Sequence, residues 1–159
     1  MITITKILAP TDLSDSSIIG VRYALEMATA VNAKVILYHV AHYESDFPYP
    51  LGIGETTSTY LPPQGFDEFM RDRREALKSF VETNFKDLHP QIEVSLETDV
   101  GSAQDQILQK AREAKIDMIV MSTHGRTGLS HILIGSVTEH IVRRAPCPVL
   151  SIPSTTPSS

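Results

Sequence analysis

The sequence predicts an α/β protein: a single domain built on an open parallel five-stranded sheet with helices on both faces. Strand-like and helix-like segments alternate along its 159 residues, as they do when crossover helices join parallel strands. The strand-like segments are short, and IDMIVM at 116–121, apolar but for Asp117, is a run of the kind that lies buried in a sheet. A chain of this length makes one ordinary domain and buries about two-thirds of the surface its unfolded form exposes.

The elements follow in order. ITITKILAP (2–10) alternates and then turns wholly apolar, as a first central strand does. Asp12, Ser14 and Asp15 offer N-cap oxygens ahead of a helix whose inner face is Ile18, Val21, Leu25, Ala28 and Val31. KVILYHV (34–40) reads as the second strand. From Phe66 to Leu88, an apolar stripe of Phe66, Phe69, Leu77, Phe80 and Val81 opposes a charged face, predicting a long amphipathic helix. IEVSLET (92–98) alternates as a third strand, and Ser102 caps a helix with Ala103, Ile107, Ala111 and Ala114 inside. DMIVMS (117–122) is the fourth strand. Ser136 and Glu139 have capping-box spacing before a helix with Val137, Ile141 and Val142 on its apolar side, and PVLSI (148–152) is a short fifth strand. The domain is expected to span 1–152, with a long Pro-, Gly- and Thr-rich loop at 41–65 and a disordered tail at 153–159. The loop reads either as a lid or contact surface, or as an insertion without a task.

Composition narrows the function classes. The formal charge of −5 argues against a general nucleic-acid binder, which needs a basic face. Charge is unevenly spread: 1–117 is net −7, whereas 118–159 sets Arg126, Arg143 and Arg144 against Glu139 alone, for +2. That later stretch is the favourable ground for an anion. The single cysteine, Cys147, cannot form an internal disulfide, and packing is its expected role. The first ten residues lack a secretory pattern, and no segment approaches the roughly 18 apolar residues of a membrane span. A cytoplasmic protein without membrane attachment is expected.

The chemistry concentrates in STHGRTGLSHILIGS (122–136), which places glycines at 125, 128 and 135 between the fourth strand and the next helix. Ligands of open parallel sheets settle at the carboxyl ends of the strands. There, glycine permits close approach to the main chain, and a helix N-terminus offers bare N–H groups with roughly half a positive charge. Phosphate is the natural guest. The chain has no GxxxxGKS or GxxxxGKT, and no GxGxxG after the first strand. Asp12, in the turn APTDLSDSS, either meets a ribose or base edge or caps the first helix.

On these residues the chain resembles the universal stress protein family. ATP-binding members carry GxxG, nine residues, then Gly followed by Ser or Thr. This chain has Ser122-Thr-His-Gly125, nine residues, then Gly135-Ser136, and continues SVTEHIVRRAPCPVLSI. PTD after the first strand, HV at the end of the second, Asp117 and Gly101 also fit. The resemblance implies a Rossmann-like, adenine nucleotide alpha hydrolase-like fold that binds ATP, with Mg2+ accompanying the nucleotide. It implies that Pro10, Thr11 and Asp12 line the ribose and adenine end, that Val40 meets the adenine through its main chain, and that Met121 and Ser122 flank the ribose. Gly125, Gly135, Ser136 and Val137 present donors to the phosphates, with His124 and Arg126 adding charge. The family's first motif glycine is Ser122 here, a small residue able to bond a ribose or phosphate oxygen. The resemblance also implies a homodimer paired through strand 148–152.

Three functions follow as expectations. The first is a dimeric ATP-binding stress protein acting by signalling or protection with little or no turnover. The others are a slow hydrolase using His124 or Asp12 as base, and a dimeric interaction module without nucleotide. No metal centre is expected, because His39 and His42 sit three apart at a strand end, and His131 and His140 straddle a loop and a helix.

Overall fold

The structure, a computed structural model, describes residues 1–42, 65–88, 91–124 and 134–154. The expected loop at 41–65 and tail at 153–159 lie mostly outside these residues. Five parallel strands are formed by β1 (Lys6–Pro10), β2 (Lys34–Ala41), β3 (Val94–Val100), β4 (Met118–Ser122) and β5 (Val149–Ile152). They lie in the order β3-β2-β1-β4-β5. The helices are α1 (Asp15–Val31), α2 (Phe66–Asn84), α3 (Ala103–Glu113) and α4 (Ser136–Arg144).

Alternation along each strand divides the core in two. Ile7, Ala9, Val35, Leu37 and Val120 point to one face, where they pack with Val21, Leu25 and Ala28 of α1 and Phe80 of α2. Leu8, Tyr38, Ile119 and Met121 point to the other, against Ile107, Leu108 and Ala111 of α3 and Ile141 of α4. β1 is central, paired with β2 from Lys6↔Lys34 to Pro10↔Tyr38 and with β4 through Ile7↔Met118 and Leu8↔Ile119. Because the chain runs outward from β1 through β2 to β3 and then crosses to β4, the connections diverge at the carboxyl ends of β1 and β4.

Several local expectations are corrected. β1 starts at Lys6 rather than residue 2, because its partners begin only at Lys34 and Met118. Thr5 is held instead by the Asp117 carboxylate, whose Oδ2 accepts from Thr5 N at 2.8 Å, Thr5 Oγ1 at 2.7 Å and Lys6 N at 3.0 Å. On α1 the buried face is Ser17, Gly20, Val21, Ala24, Leu25 and Ala28, while Val31 is exposed at the helix end. That end is closed by Asn32 at φ 55°, whose N–H donates to Ala28 O in a left-handed cap. Ser102 caps α3 as expected, accepting from Asp105 N at 3.4 Å. The capping box at Ser136 does not form. Gly135 is the N-cap and Ser136 the first helical residue, so its hydroxyl is one position too far along.

Candidate functional site

A crevice of ≈ 300 Å³ opens at the carboxyl ends of β1 and β4. Pro10, Thr11 and Asp12 leave β1 along one side, while Met121, Ser122 and His124 leave β4 along another. Val40 of β2 and Gly135, Ser136 and Val137 at the start of α4 complete the set expected from sequence. Gly125 and Arg126, the remaining two, lie outside the described residues. Sequence reading missed Ser17, Tyr38, Ala103, Ile107 and Thr138, which also line the crevice. They come from helix faces and strand positions that resemble ordinary core, and only the topology brings them here.

The β1–α1 turn is fixed by its own hydroxyls. Thr11 Oγ1 accepts from Leu13 N at 3.0 Å and lies 2.7 Å from Ser17 Oγ, which donates to Ser14 O. Leu13 takes φ 65°, a left-handed conformation that costs roughly 1 kcal/mol and that these bonds sustain. Asp12 Oδ1 accepts from both Ser14 N (3.1 Å) and Ser14 Oγ (2.5 Å). Asp12 therefore braces the entrance to α1 by accepting from Ser14, the residue just before the helix, and Ser14, the N-cap, makes no side-chain cap bond.

At the other side, Glu139 N donates to Gly135 O at 2.9 Å, so the amides of residues 136–138 precede the first intrahelical bond of α4. They meet the crevice with the positive end of the helix dipole. Thr138 Oγ1 donates to Ser122 O at 3.0 Å and locks α4 to the end of β4. His39, buried beneath the crevice, has its Nδ1 3.0 Å from Thr11 O. His39 and His42 both border the crevice, because β2 ends at Ala41 and strand alternation does not carry through to His42. Among the described residues no three of His, Cys, Asp and Glu assemble into a metal-ligand set.

The family model for the universal stress protein family matches residues 3–153. The chain belongs to the universal stress protein family. Universal stress protein MJ0531 of Methanocaldococcus jannaschii is 33% identical over 150 residues, covering 92% of this chain and 81% of that protein. Protein MJ0577 of the same organism has a solved structure that matches with TM-score 0.65 and 26% identity, covering 97% of this chain and 99% of that one. A universal stress protein solved in complex with cAMP shares the fold at TM-score 0.59 and 23% identity, covering 96% of this chain and 99% of that chain.

Within this universal stress protein domain, two groups expected from sequence to meet the ligand already bond within the protein. The Gly135 amide donates to Thr123 O at 2.6 Å, so residue 135 serves close approach: a Cβ there would lie 3.0 Å from that same oxygen. The Ser122 hydroxyl accepts from Gly20 N at 3.1 Å and is thereby turned to α1. Ser122 is not among the described non-glycine residues with positive φ, so its side chain meets no left-handed strain.

Proposed function

We propose that the crevice binds an adenine nucleotide, ATP in the first instance, and that the protein acts by nucleotide-dependent signalling or protection with little or no turnover. The observation that carries this reading is the meeting, in one crevice, of the α4 amides with an apolar wall from Val40, Ile107 and Met121. The amides of Ser136, Val137 and Thr138 suit phosphate oxygens, and the wall suits a planar base. Hydrogen bonds to charged oxygens contribute about 1.5–3 kcal/mol each, so three or four give micromolar affinity once binding entropy is subtracted. The cAMP complex of a same-fold protein supports an adenine ligand. Magnesium would enter with the nucleotide's phosphates.

Low turnover is favoured by Asp12, whose carboxylate already holds two bonds from Ser14 and is poorly disposed to serve as a base. Phosphate release above background from purified protein with ATP and magnesium contradicts that part of the reading. A homodimer through 148–152 is proposed because β5 stands at a sheet edge with Val149, Leu150 and Ser151 only half-buried. Sedimentation at micromolar concentration tests it, a dimer supporting and a monomer contradicting. Equilibrium titration with ATP, expected to saturate at one per chain, tests the ligand.

A further inference from the structure

We propose that the peptide unit between Ser122 and Thr123 couples the crevice to the edge strand, so that a nucleotide at the start of α4 strengthens pairing of two copies along β5. This rests on the nucleotide and homodimer readings and makes each depend on the other.

That peptide unit is bonded at both ends. Its carbonyl, Ser122 O, accepts from Thr138 Oγ1 at 3.0 Å, and its amide, Thr123 N, donates to Ile152 O at 2.8 Å. One residue on, Thr123 O accepts from Gly135 N at 2.6 Å, and His124 Nδ1 lies 3.2 Å from Ser154 Oγ, just past the end of β5. Thr138, Gly135 and His124 line the crevice, whereas Ile152 and Ser154 belong to the last strand and its exit. Thr123 and Thr138 are 8% and 3% exposed, so these bonds lie out of water, where bonds at the two ends of one peptide polarise and strengthen each other.

The far end of this chain of bonds holds the strand that faces a second copy. β5 is the last strand of the sheet and, among the described residues, pairs with β4 only, from Ile119↔Val149 to Ser122↔Ile152. Pro148 O accepts from Ile119 N at 3.0 Å, and Ile152 O accepts from Thr123 N, so both residues turn their main chain to β4. Bonding sides alternate along a strand, which leaves Val149 and Ser151 with theirs on the outer edge, where a partner strand pairs. The Thr123 amide thus pins the residue next to outward-facing Ser151. A short strand held from one side has low local stability, and any residue left loose must be ordered when a partner docks.

Two states follow, with the end of β5 tied to residues 122–124 or released. A nucleotide whose phosphates bond the amides of 136–138 favours the tied state, because the Thr138 hydroxyl and the Gly135 amide seat that first turn on the same residues. Ordering one residue ahead of association strengthens it roughly tenfold. Linkage requires the converse, tighter nucleotide binding to the dimer than to the monomer.

The test is the dimer dissociation constant by sedimentation velocity, with and without ATP at a concentration shown by titration to saturate, in the wild-type protein, Thr138→Val and Thr138→Ser. Wild type should associate at least about tenfold more tightly with ATP. Thr138→Val keeps the shape and the α4 amides, loses the hydroxyl donor, and should cut the effect below about threefold, whereas Thr138→Ser restores donor and effect. A wild-type constant that ATP leaves unchanged, in protein that binds ATP and dimerises, overturns the inference while sparing both readings, and needs no variant to fold. Full tightening in folded Thr138→Val also overturns it, because the coupling would then bypass the peptide unit. Absence of ATP binding, or a monomer at every concentration with and without ATP, removes the inference together with the reading that fails.

Discussion

The Gly20 amide nitrogen lies 3.1 Å from Ser122 Oγ, joining the second turn of α1 to the last residue of β4. A Cβ at position 20 would stand 2.5 Å from Ser122 N and 2.8 Å from both Met121 C and Ser122 Oγ. Helix and strand therefore touch through main chain, and the carboxyl end of β4 is set by the smallest side chain available.

Gly20→Ala tests this contact. Alanine gains about 1 kcal/mol of helix propensity, while forcing a methyl against backbone costs up to about 3 kcal/mol, so a net loss near 2 kcal/mol is expected in urea unfolding. Ser122→Gly loses a hydrogen bond of about 1 kcal/mol and rescues Gly20→Ala only in part, because the backbone clashes remain. Full rescue would show that the hydroxyl, not the main chain, is the obstacle.

Gly135→Val should separate binding from folding. Its Cβ meets Thr123 O at 3.0 Å, and the added methyls push the start of α4 away from the end of β4. ATP affinity is expected to fall at least about tenfold, one hydrogen bond's worth of misplacement, with the circular dichroism spectrum retained. Undiminished affinity in that variant contradicts the placement of phosphate at α4.

Asp117 gives a pH dependence with a definite sign. The Thr5 hydroxyl, then the amides of Thr5 and Lys6, hold its carboxyl below the usual aspartate value. A lowered folded-state pKa means that its stabilisation is complete above the unfolded value, about 3.9, and is lost as pH falls through the folded one. Asp117→Asn should lower the Tm at pH 7 and flatten the acid side of the stability curve. A variant curve parallel to wild type down to pH 2 denies the linkage.

Cys147 should react sluggishly. Burial first, then the charge of Asp117, raises its thiol above the ordinary value, reducing the thiolate present near neutrality. Iodoacetamide at pH 7.5 is expected to modify it more slowly than free cysteine, and Asp117→Asn should speed the reaction. Equal rates in the two proteins exclude that electrostatic contribution.

Strands and helices were legible where a single periodicity dominates: DMIVMS became β4, and the apolar stripe after Phe66 became α2. Gly20 carried no signal, because a glycine inside an amphipathic run does not announce which strand it faces. The capping box failed at Ser136 because spacing cannot distinguish an N-cap from the residue after it. Crevice residues that stand close together at chain turns, such as Pro10–Asp12 and Gly135–Val137, were readable as a group. The link from Thr138 through the 122–123 peptide to Ile152 was not, since it depends on the β4–β5 register and on the seating of α4 against the end of β4.

The central claim is that α4 amides and the apolar wall together hold an adenine nucleotide. Isothermal titration of the purified protein, stripped of bound small molecules, with ATP tests it most directly. The account predicts a saturable isotherm at one nucleotide per chain with a Kd on the order of micromolar. Absence of saturable heat up to millimolar ATP, from protein verified as folded, would contradict it.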